Sequence, residues 1–238
     1  MKKFDVLTIF TEQFELLKSS VIGKALKEKV FEVAVHDIRD YSLNKHKKCD
    51  DAPFGGGAGM VMTPQPIHDA ILAVDSEHAC RRIYMSPRGR VLDHETVKRL
   101  AEEERILILC GNYEGIDQRV IDLDIDEEIS IGDYVLTGGE LPALVLINAV
   151  SRYIPGVLGS MESLNEESFT DGLLEYPHYT RPQSFEGLSV PEVLVNGNHK
   201  EINKFRAERM IEITRKNRKD LYRKYLRKLK INEKKEIK

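Results

Sequence analysis

Short apolar runs alternate with amphipathic stretches along the first part of the chain. Phe4–Phe10 and Val30–Ile38 are predicted to be buried strands, and the spacing of apolar residues from about Glu12 to Lys29 predicts a helix between them. Thr63-Pro64 begins another predicted helix, because proline is tolerated in a first helical turn where its missing N–H is harmless. This order of elements favours an α/β fold.

Two glycine turns follow apolar runs further along. Arg82–Met85 leads into Ser86–Arg90, and Ile106–Leu109 leads into Cys110–Gly115. An amphipathic helix is predicted between them, over about Asp93–Glu103. Strands that alternate with helices in this way predict a parallel sheet, whose ligands bind at the carboxyl ends of the strands.

A third turn lies in Ser130–Leu144, and we expect the rest of the chain to be organised around it. An apolar run that ends at Leu136 is predicted to pass through Thr137-Gly138-Gly139 directly into an apolar helix that Glu140 opens. Such a turn leaves backbone N–H groups free and lets a ligand approach the main chain. A plain strand-to-helix connection is the alternative, but three loops at neighbouring strand ends predict one pocket.

The C-terminal part has a different pattern. Ser160–Glu167 is short and polar and is the predicted linker, and Asn198–Asn217 and Lys219–Lys230 carry helical spacing. The predicted organisation is therefore a ligand-binding domain over 1–159, a linker over 160–167 and a helical basic domain over 168–238.

Charge is distributed unevenly between these regions. The chain of 238 residues has a net charge of −3, yet Lys216–Lys238 holds eleven Lys and Arg against three acids, a balance of +8, which leaves −11 for residues 1–215. Binding of a polyanion is therefore expected toward the C-terminal end. A solvated helix is the alternative interpretation of such a tail.

Composition excludes several classes of protein. Hydrophobic residues make up 41% and charged residues 32% of the chain, which is typical of a soluble globular protein, and no apolar run approaches the roughly 20 residues of a membrane helix. The N-terminus has no signal-peptide pattern, so we expect a cytoplasmic protein. Cys49, Cys80 and Cys110 are widely spaced and are predicted to be reduced thiols, not zinc ligands.

The glycine cluster Gly55–Gly59 is not a nucleotide fingerprint. A phosphate-binding P-loop would end in Gly-Lys-Ser/Thr, whereas Met60 follows Gly59 here. A mobile hinge, or a close approach of the backbone to RNA or to a second subunit, is the more plausible role.

Six segments together carry a resemblance to a known family. They are GGGAGM at 55–60, SPRG at 86–89, CGNYEGIDQR at 110–119, SIGDYVLTGGELPAL at 130–144, PGVLG at 155–159 and SF-x-DGLLEYPHYTRP at 168–182. In this order they resemble the bacterial tRNA (guanine-N1)-methyltransferases, the TrmD type of the SPOUT class, along nearly the whole chain.

The resemblance implies a fold and an activity. The fold would be a parallel-sheet SPOUT domain with a deep trefoil knot, followed by a small all-helical C-terminal domain. The activity would be methyl transfer from S-adenosylmethionine to N1 of the guanosine immediately 3′ to the anticodon, position 37 of tRNA. A homodimer is also implied, as is an association of Mg²⁺ with activity, although no metal-ligand cluster is evident in the sequence.

Methylation of guanine N1 needs a carboxylate that removes the N1 proton and a cation near O6, where negative charge collects. By resemblance the base is Glu167, where the family commonly has aspartate. Asp171, four residues later on a predicted helical face, is the competing base. By resemblance Arg152 stabilises the charge on O6. The alternatives are helix capping for both carboxylates and a salt bridge at a helix end for Arg152.

The three loops supply the predicted cofactor site. Glu114 matches a functional position of the family. Asn112 departs from it, because the family usually has arginine or histidine at the position before Tyr113. For Leu136 and Ile131, ordinary packing is an equal alternative. The predicted cofactor-binding residues are Ser86, Pro87, Gly111, Tyr113, Glu114, Gly115, Ile131, Gly132, Tyr134, Leu136, Gly138, Gly139 and Pro142.

RNA contacts are expected from a set of cations and rings that can bind phosphates and stack a base. Phe205 and Lys219 depart from the tryptophan and the proline that are usual at these places in the family. The predicted RNA-binding residues are His178, Tyr179, Arg181, His199, Lys200, Arg206 and Arg209.

Two other functions compete with this prediction. Ribose 2′-O methylation, known in the same superfamily, would not explain the carboxylates at 167 and 171. A catalytically silent RNA-binding protein would be favoured by loss of Arg152 or of both carboxylates, and all three residues are present.

Overall fold

A computed structural model describes residues 1–160, 164 and 167–236 of the chain, with side chains up to Ile231. The chain divides into two compact units, Met1–Gly159 and Ser160–Lys238. Most of the predicted linker, 160–167, lies outside the described residues.

A five-stranded parallel sheet forms the centre of the first unit, which confirms the predicted α/β class. In chain order its strands are β1 (Lys3–Thr8), β2 (Glu32–Asp37), β5 (Arg81–Val91), β6 (Arg105–Cys110) and β7 (Glu127–Ser130), with β3 (Asp50–Asp51) and β4 (Val61–Met62) forming a separate antiparallel pair. The spatial order is β2-β1-β6-β5-β7. The trefoil knot implied by the resemblance stays a prediction.

Helices cover both faces of this sheet. They are α1 (Ser20–Lys27), α2 (Pro64–Asp75), α3 (His94–Glu102), α4 (Gln118–Asp124) and α5 (Glu140–Ser151). Alternate residues of β6 point to opposite cores, so that Ile106 and Ile108 pack with α3 and α5 while Leu107 and Leu109 pack with α2 and α4. A strand covered on both faces is apolar throughout, as its sequence shows.

The first predicted helix is wrong in one respect, because it is broken. Thr11–Lys18 forms a 3₁₀ helix, and α1 begins only at Ser20, whose φ is 60°. The two pieces approach so closely that a Cβ on Gly23 would lie 2.2 Å from the carbonyl oxygen of Lys18. The spacing of apolar residues therefore predicted helical structure correctly. A continuous helix, however, could not bring Gly23 this close to Lys18.

The second unit contains the two predicted long helices, α6 (His199–Asn217) and α7 (Lys219–Glu236), although α7 continues six residues beyond its predicted end at Lys230. Asn198 caps α6 by accepting a hydrogen bond from the N–H of Glu201. The prediction that this unit is all-helical is wrong in detail, however, because β8 (Ser184–Phe185) and β9 (Leu188–Ser189) form a short antiparallel pair.

Residues 167–172 correct a second expectation, since they form a bend and turns where a helix was predicted. Phe169 and Gly172 have φ values of 80° and 78°, which a helix cannot contain. Glu167 and Asp171 therefore do not share a helical face.

Candidate active site

A cleft of about 320 Å³ opens at the carboxyl ends of β5, β6 and β7 in the first unit. Its volume lies in the range of small-molecule and cofactor sites, about 300–1,000 Å³. Loops that follow parallel strands form its walls, as expected for a ligand site in an α/β sheet.

All thirteen residues predicted to bind the cofactor line this cleft. Twelve of them come from the three loops and Pro142 from the first turn of α5, so that the fold brings together residues that are up to 56 positions apart in the sequence. The cleft also has walls that were not among the predicted site residues, namely Tyr84, Met85, Arg88, Asn112, Ile116, Ile129, Ser130, Val135 and Thr137. Their position next to the predicted glycine turns is the signal that identifies them.

The first loop is a large irregularity within β5. Met85 and Arg90 both pair with Ile129 of β7, so that the residues between them bulge out of the ladder. Pro87 lies in this bulge, where a residue without an N–H leaves no ladder hydrogen bond unmade. The predicted turn is therefore a bulge that places Ser86 and Pro87 against the cleft.

The third loop differs from its prediction. β7 ends at Ser130, and residues 131–139 form an irregular loop in place of a strand. Ser130 causes the change of direction, because its hydroxyl accepts from the N–H of Gly132 at 3.1 Å and donates to the carbonyl of Gly132 at 2.9 Å. Val135 is consequently 80% exposed, whereas the predicted apolar strand would have buried it.

Gly138 and Gly139 are required by close approach and not by an unusual φ. The N–H of Gly139, whose φ is −83°, donates to the carbonyl of Gly111 at 2.9 Å. A Cβ on Gly139 would lie 2.8 Å from the Cα of Cys110, and one on Gly138 would lie 2.3 Å from Nδ2 of Asn112. The absence of side chains here lets the loop after β7 lie directly on the end of β6.

A buried polar cluster lies at this junction. Glu140, which is 2% exposed, accepts from the hydroxyl of Thr8 at 2.7 Å and from Nδ2 of Asn112 at 3.2 Å. These residues belong to the end of β1, the loop after β6 and the start of α5, so that one carboxylate joins three elements. Within the described residues Glu140 forms no ion pair, and Oδ1 of Asn112 has no hydrogen-bond partner. Burial, together with the charge of Glu140, raises the pKa of the Cys110 thiol well above its usual value.

Backbone hydrogen bonds join the segment after the glycine cluster Gly55–Gly59 to the second loop of the cleft, Cys110–Gly115. The N–H of Glu114 donates to the carbonyl of Met60 at 3.0 Å, and the N–H of Met62 donates to the carbonyl of Gly115 at 3.0 Å. A Cβ on Gly59 would lie 2.5 Å from the carboxylate of Glu114. The glycine cluster therefore lies beside a residue that lines the cleft.

The three catalytic candidates are placed in different units. Arg152 is the half-buried C-cap residue of α5 in the first unit. In the second unit, Glu167 is half-buried in a bend and Asp171 is exposed in a turn. The turn is held by the N–H of Phe169, which donates to the carbonyl of Leu173 at 2.7 Å.

Four of the predicted RNA-binding residues, His178, Tyr179, Arg181 and Arg206, line a cleft of about 650 Å³ in the second unit. The guanidinium of Arg206 lies 4.5 Å from the ring centroid of Tyr176, a cation–π distance. The other three lie outside this cleft: His199 and Lys200 form the exposed first turn of α6, and Arg209 forms an ion pair with Glu212 further along it.

Within the described part of the chain, no group of three or more His, Cys, Asp and Glu side chains is placed to hold a metal ion. No helix of that part is long and apolar enough to cross a membrane.

Comparisons with known proteins decide the family. The family model described as tRNA (Guanine-1)-methyltransferase TrmD matches residues 1–224. The chain belongs to this family. It is 54% identical over 226 residues to the tRNA (guanine-N(1)-)-methyltransferase of Clostridioides difficile, covering 93% of this chain and 98% of that protein.

Two further relatives support the assignment to the TrmD family. The tRNA (guanine-N(1)-)-methyltransferase of Ruminiclostridium cellulolyticum is 55% identical over 225 residues, which cover 93% of this chain and 97% of that protein. That of Clostridium acetobutylicum is 52% identical over 220 residues, which cover 92% and 90%. The chain is therefore an enzyme of the TrmD family, whose members use S-adenosylmethionine.

Proposed function

We propose that this enzyme transfers a methyl group from S-adenosylmethionine to N1 of the guanosine immediately 3′ to the anticodon, position 37 of tRNA. The observation that carries the proposal is the cleft at the ends of β5, β6 and β7, in a chain that matches the TrmD family over residues 1–224.

The residues of the cleft fit S-adenosylmethionine. Half-buried Gly132 and Gly138 line the cleft with no side chain between a ligand and the main chain, while Ile131, Leu136 and Pro142 offer apolar contacts to an adenine ring. Glu114, an exposed carboxylate on the wall, suits a ligand that carries a sulfonium and an ammonium group. When bound, this cofactor supplies an electrophilic methyl group.

The protein's part of the reaction is positioning and charge control. A carboxylate, Glu167 or the competing Asp171, takes the proton from guanine N1, and Arg152 stabilises the negative charge that then collects on O6. The loops around Gly138 and Gly139 hold the cofactor in line with N1, which is a positioning task.

A homodimer is part of the proposal. Leu141 and Val145, one helical turn apart on α5, are 50% and 46% exposed beside the cleft. These two side chains support the placement of a subunit interface on this side of α5. The trefoil knot, action in the cytoplasm and a contribution of Mg²⁺ to activity likewise belong to the proposal.

The test is methyl transfer from labelled S-adenosylmethionine to unmodified tRNA with guanosine at position 37. Transfer to this tRNA, and none to the same tRNA with adenosine at position 37, is the expected result. In the variants Glu167→Gln and Asp171→Asn, loss of transfer in only one, with cofactor affinity unchanged, identifies the base.

The same assay separates the competing functions. A methyl group found on a ribose would show 2′-O methylation. Cofactor binding without transfer to any tRNA would refute the proposed reaction and favour a silent RNA-binding protein.

A further inference from the structure

Two charged side chains line the cleft of the first unit, and the proposed function uses only one of them. Among the lining residues that the structure describes, Arg88 and Glu114 alone carry a charge at neutral pH. Glu114 suits the sulfonium and the ammonium group of the cofactor. S-adenosylmethionine also carries a carboxylate, and a charge that leaves water without a partner is costly. The second charge therefore needs a cation on the wall of the cleft.

Arg88 lies in the bulge of β5, one residue after Pro87. Its backbone N–H donates to the hydroxyl of Ser86 at 3.2 Å, and Ser86 is 5% exposed. The main chain at Arg88 is therefore anchored to a buried residue. The side chain is 61% exposed, so that the guanidinium can turn toward a ligand without disturbing the core.

The protein holds this guanidinium only loosely. Nη2 of Arg88 lies 3.3 Å from Oε1 of Gln118 and 3.4 Å from Oε2 of Glu128, whereas hydrogen bonds of this kind are mostly about 2.7–3.2 Å long. Within the described part of the chain, Nε and Nη1 of Arg88 donate no hydrogen bond. Because exposed ion pairs contribute little, a ligand carboxylate can replace these contacts.

The contact with Gln118 shows where the guanidinium lies. Gln118 is the first residue of α4 and follows Glu114 by four residues. The guanidinium is therefore beside the segment that joins the loop of Glu114 to α4. A cation next to the loop that carries the anion suits an amino-acid group, whose carboxylate and ammonium are attached to one carbon.

Arginine at this position also matches the shape of a carboxylate. Its planar guanidinium pairs with a carboxylate through two parallel N–H···O bonds, whereas the adenine and the ribose of the cofactor are neutral. Arg90, two residues further along, is 72% exposed, forms an ion pair with Asp93 and is not among the described lining residues. Position in the cleft therefore distinguishes Arg88 from the neighbouring cation.

We propose that Arg88 binds the carboxylate of S-adenosylmethionine and makes the cleft select ligands that carry an amino-acid tail. The inference rests on the proposed function, because it takes this cleft to be the cofactor site. The carboxylate does not change during methyl transfer, so that Arg88 contributes equally to the ground state and the transition state and sets cofactor affinity alone. A structural role, in which Arg88 only holds the bulge through Gln118 and Glu128, predicts equal effects on every ligand of the cleft.

The test compares two ligands that differ in one group. S-adenosylmethionine and its decarboxylated form share the adenosine, the sulfonium and the ammonium, and only the first carries the carboxylate. Calorimetry without tRNA measures both dissociation constants for the parent chain, Arg88→Met and Arg88→Lys. Arg90→Met is the matched control, because it removes the same charge from an exposed side chain outside the cleft lining. Circular dichroism verifies the fold of each variant.

The parent chain should bind S-adenosylmethionine about 5- to 20-fold more tightly than the decarboxylated form, as expected for a charged hydrogen-bonded pair that is partly screened by solvent. In Arg88→Met this preference should disappear, because only the affinity for S-adenosylmethionine falls. Arg88→Lys should keep part of the preference, since lysine keeps the charge but not the planar fork. Arg90→Met should change either affinity by less than about twofold. In methyl transfer, Arg88→Met should raise the KM for the cofactor and leave kcat at saturating cofactor unchanged.

Equal weakening of both ligands in Arg88→Met overturns the proposal and shows a structural role. A parent chain that binds both ligands equally tightly overturns it without any variant, as does a preference that Arg88→Met retains. Methyl transfer by the parent chain is scored separately. Transfer without a preference between the ligands refutes the contact of Arg88 alone, whereas a preference that Arg88→Met loses, without transfer to any tRNA, refutes the proposed reaction alone.

Discussion

Replacement of Glu140 tests whether one buried carboxylate holds the cleft together. In Glu140→Ala, the hydroxyl of Thr8 and Nδ2 of Asn112 both lose their acceptor. A buried donor left without a partner costs about 1–3 kcal/mol, and a carboxylate in a first helical turn contributes about 0.3–1 kcal/mol. Relief of the buried charge offsets part of this loss. We therefore expect Glu140→Ala to lower the free energy of unfolding by about 3–5 kcal/mol.

Glu140→Gln should be milder, by about 1–2 kcal/mol, because glutamine keeps one acceptor. Its amide nitrogen, however, would face Nδ2 of Asn112, so that two donors would meet. Adding Asn112→Asp restores an acceptor at that position. The double variant Glu140→Gln/Asn112→Asp should therefore recover part of the lost stability, and the recovery measures the coupling between the two residues.

Urea unfolding followed by circular dichroism measures these changes, and calorimetry measures S-adenosylmethionine affinity. Glu95→Ala is the matched control, because Glu95 lies in the first turn of α3 but is exposed; it should change stability by less than about 0.5 kcal/mol. The reasoning is refuted if Glu140→Ala is no more destabilising than Glu95→Ala. It is also refuted if the double variant is no more stable than Glu140→Gln.

Three other perturbations test neighbouring parts of the first unit. Gly139→Ala should lower stability by about 1–3 kcal/mol and weaken cofactor affinity, because the new Cβ meets the backbone at 2.8 Å. Asp75→Asn should lower stability by about 3–5 kcal/mol at pH 7, because Asp75 is 3% exposed and accepts from Nε of Arg82 at 2.8 Å. The thiols should resist iodoacetamide at pH 8 until urea is added, because burial raises the pKa of each of them: Cys49, Cys80 (to about 11) and Cys110.

Each of these has its own check. Gly159→Ala should be neutral, since nothing lies within 4 Å of its added Cβ; equal losses in the two glycine variants would contradict the packing argument. Burial raises the pKa of the Asp75 carboxyl, but hydrogen bonds from Arg82 and from two backbone N–H groups outweigh it, so the folded pKa is lowered from 3.8. The stabilisation by Asp75 is fully present above the unfolded-state pKa of 3.8 and is lost as the pH falls from there through the lower pKa of the folded state. Asp75→Asn should therefore flatten the loss of stability below about pH 4, and an unchanged acid limb would contradict this. Rapid labelling of folded protein would contradict the burial of the thiols.

The periodic parts of this fold could be predicted from sequence. α3 and α6 begin and end within one residue of their predicted bounds, since Asp93 and Asn198 mark their N-caps. The prediction that a strand continues to Leu136 is wrong, and the reason is physical. An apolar run signals burial in general, whereas Val135 lies in a loop whose path is set by the hydroxyl of Ser130 and by Gly132.

The same distinction explains which site residues were found. The glycines at 111, 138 and 139 indicate in the sequence that the backbone passes close to another group. They do not indicate whether that group is a ligand or another part of the chain. In the structure Gly139 approaches the backbone of Cys110, while Gly138 approaches the side chains of Asn112 and Glu140. The glycines therefore serve first to seat one loop on the next strand, and the cleft forms where the loops then diverge. From the sequence, Glu140 was predicted only to begin a helix. Its hydrogen-bond partners Thr8 and Asn112 could not be predicted, because they lie 132 and 28 residues away along the chain. A contact of that range becomes visible only once the order of the strands places β1 beside β6.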